Sequence, residues 1–212
     1  IMNNLMEDVV KKAFRMLIEA MDENGSQKLL FPCRRNGISR YSEQEFKQML
    51  IKALEETNGI KYSVETPTLQ RYSSQSGKLF RDDNGESGRI DMCIYQKVAD
   101  KWQRLHLVEL KAHNVKVQND LMKLIQDSEK DEFCKESYFI QILYSANKET
   151  LSNLQQKYNS YIGEEKALLP SLDKEIIVYL LFANGVQKVE ESPCYCRFNL
   201  RDGLNEQKPQ KI

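Results

Sequence analysis

The run Gly88-Arg89-Ile90-Asp91-Met92-Cys93-Ile94, followed by Leu107-Val108-Glu109-Leu110-Lys111, reads as two β-strands with charge where buried strands are apolar. The two-residue period of a strand turns Ile90, Met92 and Ile94 to one face and Asp91 to the other. In the second run Glu109 and Lys111 share a face, and Val108 and Leu110 lie opposite. Leu105, Leu107 and Cys93 on the charged faces are apolar, so we expect those faces to be covered. A carboxylate buried there is costly unless something compensates it. The plainer alternative is an edge-strand salt bridge on a solvated face.

Working outward, apolar residues at 5, 6, 9, 10, 13, 14, 17, 18 and 21 have helical spacing, and Gly25 follows as a stop. A second helix opens at Ser42, with Phe46, Met49, Leu50, Ala53 and Leu54 on one face, and Asn58-Gly59 ends it. Residues 60–66 read as a strand with Pro67 beyond its end, and 68–87 as a long loop or loose hairpin extension. Strands at 89–96 and 102–112 are followed by a helix over 115–130, a strand over 138–144 and a helix over 148–161. Residues 175–183 form the most apolar strand, which we expect to be central and covered on both faces. A last edge strand is expected over 195–200, and the tail after Asp202 reads as polar and loose. The order predicts an α/β fold with a mixed central sheet flanked by helices, plus an extra N-terminal helix. That amphipathic helix packs either on the core or on a partner subunit.

Composition narrows the partners. Lys and Arg number 31 against 31 Asp and Glu, so the net charge is zero, which excludes a histone-like basic protein or an acidic solvating tail. It does not exclude a local charged cleft. The longest apolar run, residues 176–183, is less than half a membrane span, and charged residues interrupt the first turns. We therefore expect no membrane association, no leader and a cytoplasmic location. The five cysteines, Cys33, Cys93, Cys134, Cys194 and Cys196, have no framework spacing and read as reduced thiols.

If the two charged strands are neighbours, Asp91 and Glu109 can converge on one divalent cation. Magnesium takes oxygen ligands, polarises phosphoryl groups and lowers the pKa of bound water. Lys111, two residues beyond Glu109, reaches the same place to orient water or to stabilise charge on phosphorus. This is equipment for phosphodiester hydrolysis. At these residues the chain resembles the PD-(D/E)xK, or restriction-endonuclease-like, nuclease superfamily. Asp91 stands for the first acidic motif and Glu109-Leu110-Lys111 for E-x-K, while Ile90 replaces the motif's proline, which is not a ligand. The α-β-β-β-α-β order over residues 42–144 is what the resemblance implies, about half of the chain.

The family usually adds an acidic residue from the helix before the first strand. At about 100° per residue Glu43 falls inside the apolar stripe and Glu45 at its border, and Ser42-x-x-Glu45 is a capping box. Glu43 is therefore favoured for the cleft over Glu45. The resemblance implies Asp91, Glu109 and Glu43 as metal ligands for Mg²⁺, with Mn²⁺ as a substitute, and Lys111 as the fourth catalytic residue. In related nucleases polar residues on the following helix assist the site or contact substrate; here they are Gln118, Asp120, Lys123 and Gln126, Lys123 and Gln126 first, against a solvated face as the plainer reading. Arg71, Lys78 and Arg81, interleaved with aromatics, and Arg34, Arg35 and Arg40 are candidate phosphate contacts or simply solvated loop.

The organisation expected is residues 1–37 as helix and connector, 38–200 as the nuclease-like domain and 201–212 as a polar tail. The function expected is a metal-dependent nuclease, DNA favoured over RNA and an endonuclease favoured, with a homodimer or a separate recognition protein as partner. The alternatives are a non-catalytic nucleic-acid-binding or assembly module on the same fold, and a phosphodiesterase for a small nucleotide.

Overall fold

The structure, a computed structural model, describes residues 5–22, 29, 31, 41–76, 78–163, 171, 173–204 and 208–212. Arg34, Arg35, Arg40, Cys33 and the side chain of Lys78 lie outside the described residues. Two helices come first, α1 (Leu5–Met21) and α2 (Glu43–Glu55). The antiparallel strands β1 (Ile60–Gln75), β2 (Lys78–Arg81), β3 (Glu86–Val98) and β4 (Lys101–Ala112) follow. Then come α3 (Gln118–Lys130), β5 (Glu136–Leu143), α4 (Lys148–Gly163), β6 (Glu175–Phe182), β7 (Cys194–Asn199) and β8 (Gln210–Lys211). The strands make one open mixed sheet in the order β2-β1-β3-β4-β5-β6-β7-β8. β4, β5 and β6 run parallel through the α3 and α4 crossovers, and the flanks are antiparallel.

Two apolar clusters hold the layers together. One joins α1 and α2 to one face of the sheet through Phe14, Leu17, Phe46, Leu50, Met92, Val108, Leu110 and Tyr179. The other joins α3 and α4 to the opposite face through Cys93, Leu107, Leu121, Leu124, Phe139, Leu154 and Val178. α1 thus packs on the core, beside α2. β6 alternates between the clusters, with Ile177, Tyr179 and Leu181 in one and Ile176, Val178 and Leu180 in the other, as a central strand must. Among the described residues no helix is long and apolar enough to cross a membrane.

The structure corrects the sequence reading in four places. β1 does not stop before Pro67 but runs on to Gln75 and turns into β2, so residues 68–87 are mostly paired strand. Pro67 is the last residue of the regular β1–β3 register, paired with Arg89, and the register shifts between it and Arg71. β7 is not the edge, and the tail is not wholly loose, because Gln210–Lys211 pairs with Cys194 and Tyr195. The helix expected from 115 begins at Gln118. Finally, Ile90 does not share a face with Met92 and Ile94; it joins the α3–α4 cluster and they join the α1–α2 cluster. The alternation breaks at Asp91, where the facing β1 residue, Glu65, is left-handed at φ 48° and the β3–β4 ladder ends at Met92↔Val108.

Candidate active site

That ladder end builds the site. Beyond Met92 and Val108 the two strands separate, while β4 stays zipped to β5 from Val108 to Ala112. The N–H groups of Leu110 and Ala112 on the β3 side therefore lose their strand partner and need acceptors. Asp91 Oδ2 accepts the Leu110 N–H at 2.8 Å, and Glu43 Oε1 accepts the Ala112 N–H at 3.2 Å. Glu43 arrives from the first turn of α2, whose start is fixed by Ser42. The Ser42 hydroxyl accepts the Gln44 N–H at 3.3 Å and donates to the Glu45 carboxylate, which leaves Glu43 as the acid turned to β4.

Glu109 and Lys111 project from β4 toward α3, on the face of the buried Leu107. Glu109 is only 1% exposed. Its Oε1 lies 2.6 Å from Lys123 Nζ but off the hydrogen-bonding direction, so this buried oxygen accepts no hydrogen bond. Burial pushes the Glu109 carboxyl well above the usual range; Lys123 pulls against this, and the charge of Asp91 adds to it. Asp91 goes the other way: burial raises it, but the Leu110 N–H, Lys47 and a hydrogen bond from the Glu109 carboxyl outweigh burial and hold it low. Lys111 Nζ stands 3.4 Å from Asp120 Oδ2 and 3.9 Å from Glu43 Oε2. Burial disfavours its charge, but Asp120, Glu43, Glu109 and Asp91 together raise its pKa, so it stays a cation at neutral pH.

Asp91, Glu109, Lys111 and Glu43 are thus brought together. Lys123, read from sequence as a nucleic-acid contact, turns inward to Glu109 and also lies 3.4 Å from Asp120. Its stem crosses Gly88, where an added Cβ would stand 3.3 Å from Lys123 Cδ. Gln126 lines a cavity of about 290 Å³ with Gln70, Arg81, Glu129 and Lys130, and its buried Oε1 accepts no hydrogen bond. Arg71 and Arg81 sit on the β1–β2 hairpin, exposed, Arg71 donating to the Asp83 carbonyl and Arg81 3.8 Å from its carboxylate. Acids thus dilute that basic patch.

Sequence reasoning missed Lys47 altogether. Its ammonium lies 2.7 Å from Glu65 Oε1 and 2.9 Å from Asp91 Oδ1, and its side chain is only 7% exposed. The available signal was its place one turn after Glu43, at the margin of the apolar stripe. The four described cysteines are buried, and burial pushes Cys93 and Cys196 up to about 12 and Cys134 and Cys194 up to about 11. They are inert as nucleophiles.

The donors are of the kind a hard divalent cation takes, carboxylate oxygens crowded so that one raises the other's proton affinity. Glu109 Oε1, buried beside the Lys123 ammonium but outside hydrogen-bonding geometry, is the atom such an ion would bind. Among the described residues no three Asp, Glu, His or Cys side chains stand as a closed cage. Magnesium does not require one, since it binds through one or two carboxylates and fills its shell with water and phosphate oxygens. Compared with models of known protein families and with characterised proteins, the chain matches none.

Proposed function

We propose that the chain is a metal-dependent nuclease, and that Asp91 and Glu109 hold Mg²⁺ or Mn²⁺ at the split between β3 and β4. The observation that carries this reading is the buried pair itself, Asp91 beside a Glu109 carboxyl whose proton affinity burial and the Asp91 charge raise, next to the Lys111 cation. A bound cation would polarise the scissile phosphate and acidify a coordinated water. Lys111, being charged, donates hydrogen bonds to a non-bridging phosphate oxygen and stabilises the charge that gathers there as water attacks phosphorus and the ester P–O bond breaks. It is not the base, because its pKa is raised. Glu43 and Asp120 flank Lys111 and hold its ammonium between them. The resemblance to the PD-(D/E)xK superfamily supports the same assignment, with DNA as the favoured substrate and an endonuclease the favoured form.

The test is cleavage of single- and double-stranded DNA and RNA with Mg²⁺ or Mn²⁺, comparing wild type with Lys111→Ala and Asp91→Ala. Loss of cleavage in both variants is expected; equal activity in all three overturns the assignment. One observation favours a second reading, a nucleic-acid-binding module without catalysis. Asp91 and Glu109 each already face a lysine, so the pair is partly compensated without a metal. Metal-independent binding with no cleavage of any of these substrates would select it.

A further inference from the structure

The lysines around the acidic pair follow one pattern. Lys47 bridges Asp91, at 2.9 Å, and Glu65, at 2.7 Å. Lys123 bridges Glu109, at 2.6 Å, and Asp120, at 3.4 Å. Each ammonium therefore touches one carboxylate of the inner pair and one outside it. The inner contact stands where a divalent cation would need to be. Asp91 Oδ2 is already committed to the Leu110 N–H, so the oxygen that Lys47 holds, Oδ1, is the one left for an ion. A divalent ion and an ammonium on the same oxygen repel strongly in a site this dry.

The outer contacts give the lysines somewhere to go. Glu65 is half-exposed and stays hydrated, and it meets Lys47 from a backbone at φ 48°, a conformation uncommon for any residue but glycine. A strained residue whose carboxylate lands on a buried lysine is an arrangement that the surrounding fold maintains at a cost.

We propose that Lys47 and Lys123 are resident counter-ions of the Asp91–Glu109 pair, which step fully onto Glu65 and Asp120 when a divalent cation enters. They are positioning residues that set the cation affinity of the site. This rests on the reading that Asp91 and Glu109 bind the cation. The consequence is weak metal binding by the free protein, strengthened when substrate phosphate brings further oxygens to the ion.

The test is Mn²⁺ titration of the full chain without nucleic acid, following free Mn²⁺ by electron paramagnetic resonance. Lys47→Met keeps the stem and removes the competitor, and should tighten binding by about tenfold, the factor equivalent to about 1.4 kcal/mol. Glu65→Gln removes the resting place and should weaken binding several-fold. In the Lys47→Met background Glu65→Gln should have no further effect. Affinity unchanged or weakened in Lys47→Met, or an equal Glu65→Gln effect in both backgrounds, overturns the proposal. Lys47→Gln replaces the methionine variant if circular dichroism shows that it does not fold. Asp91→Asn separates the two levels: Mn²⁺ binding absent from wild type, or undiminished in Asp91→Asn, refutes the cation reading itself.

Discussion

Asp127 and Glu109 are both buried carboxylates between the sheet and α3, and the fold treats them in opposite ways. Asp127 accepts the N–H groups of Leu69, at 2.6 Å, and Gln70, at 3.0 Å, and pairs with Arg104 Nη1 at 2.9 Å. Arg104 is in turn fixed by the Pro67 carbonyl at 2.8 Å, so the cluster clamps the irregular stretch of β1 onto α3. Burial raises the Asp127 carboxyl, with the Gln70 N–H, Arg104 and the Leu69 N–H pulling against it. At Glu109 burial acts in the same direction, but only Lys123 opposes it and Asp91 reinforces it. Its Oε1 faces the Lys123 ammonium at 2.6 Å, outside hydrogen-bonding geometry, where Asp127 has two backbone N–H groups and an arginine. A saturated buried ion cluster holds structure together, whereas an unsaturated one is what a ligand site looks like before its ligand arrives.

The contrast can be broken by substitution. Arg104→Met leaves Asp127 charged and unpaired, and should cost about 3–5 kcal/mol, read from urea unfolding. A loss below about 1 kcal/mol would remove Asp127 from the structural class. Lys111→Ala should lower the rate of phosphodiester cleavage by about 10²–10³-fold, the cost of deleting one charge-stabilising donor, with the melting temperature little changed. Glu109→Gln should behave unlike Arg104→Met, because it relieves the repulsion from Asp91 while Lys123 keeps Asp120 at 3.4 Å and the amide oxygen of the new side chain to face. Stability equal to wild type, or higher by about 1 kcal/mol, is expected by thermal melting. A large loss there would mean that Glu109 is structural after all. The smallest effect is expected for Tyr72→Phe, which deletes the 3.3 Å bond from the Tyr72 hydroxyl to the Lys123 carbonyl and should cost about 0.5 kcal/mol.

Much of the architecture was legible because it is written in periodicity. The helix at Leu5–Met21 and the buried strand at Glu175–Phe182 carry their period over enough residues to be read without neighbours. Asp91, Glu109 and Lys111 were legible because charge inside apolar strands is conspicuous. Glu43 followed from its angle on a helix whose other first-turn acid had a capping role. What stayed hidden depends on contacts distant in the chain. Lys47 meets Asp91 across 44 residues, and Leu69 meets Asp127 across 58. Neither partner carries a local mark of the other. Strand alternation misplaced Ile90 because the period assumes a regular ladder, and the ladder ends where the site begins. β8 was missed because two residues are too few to show a period.

The most direct measurement is the melting temperature of wild type and Glu109→Gln with and without saturating Mn²⁺. A ligand that binds only the folded state raises stability by about 2.7 kcal/mol at a hundred times its dissociation constant. Mn²⁺ should raise the melting temperature of wild type and leave that of Glu109→Gln where it was. No rise in wild type, or the same rise in both, would contradict the assignment of Asp91 and Glu109 as a cation site.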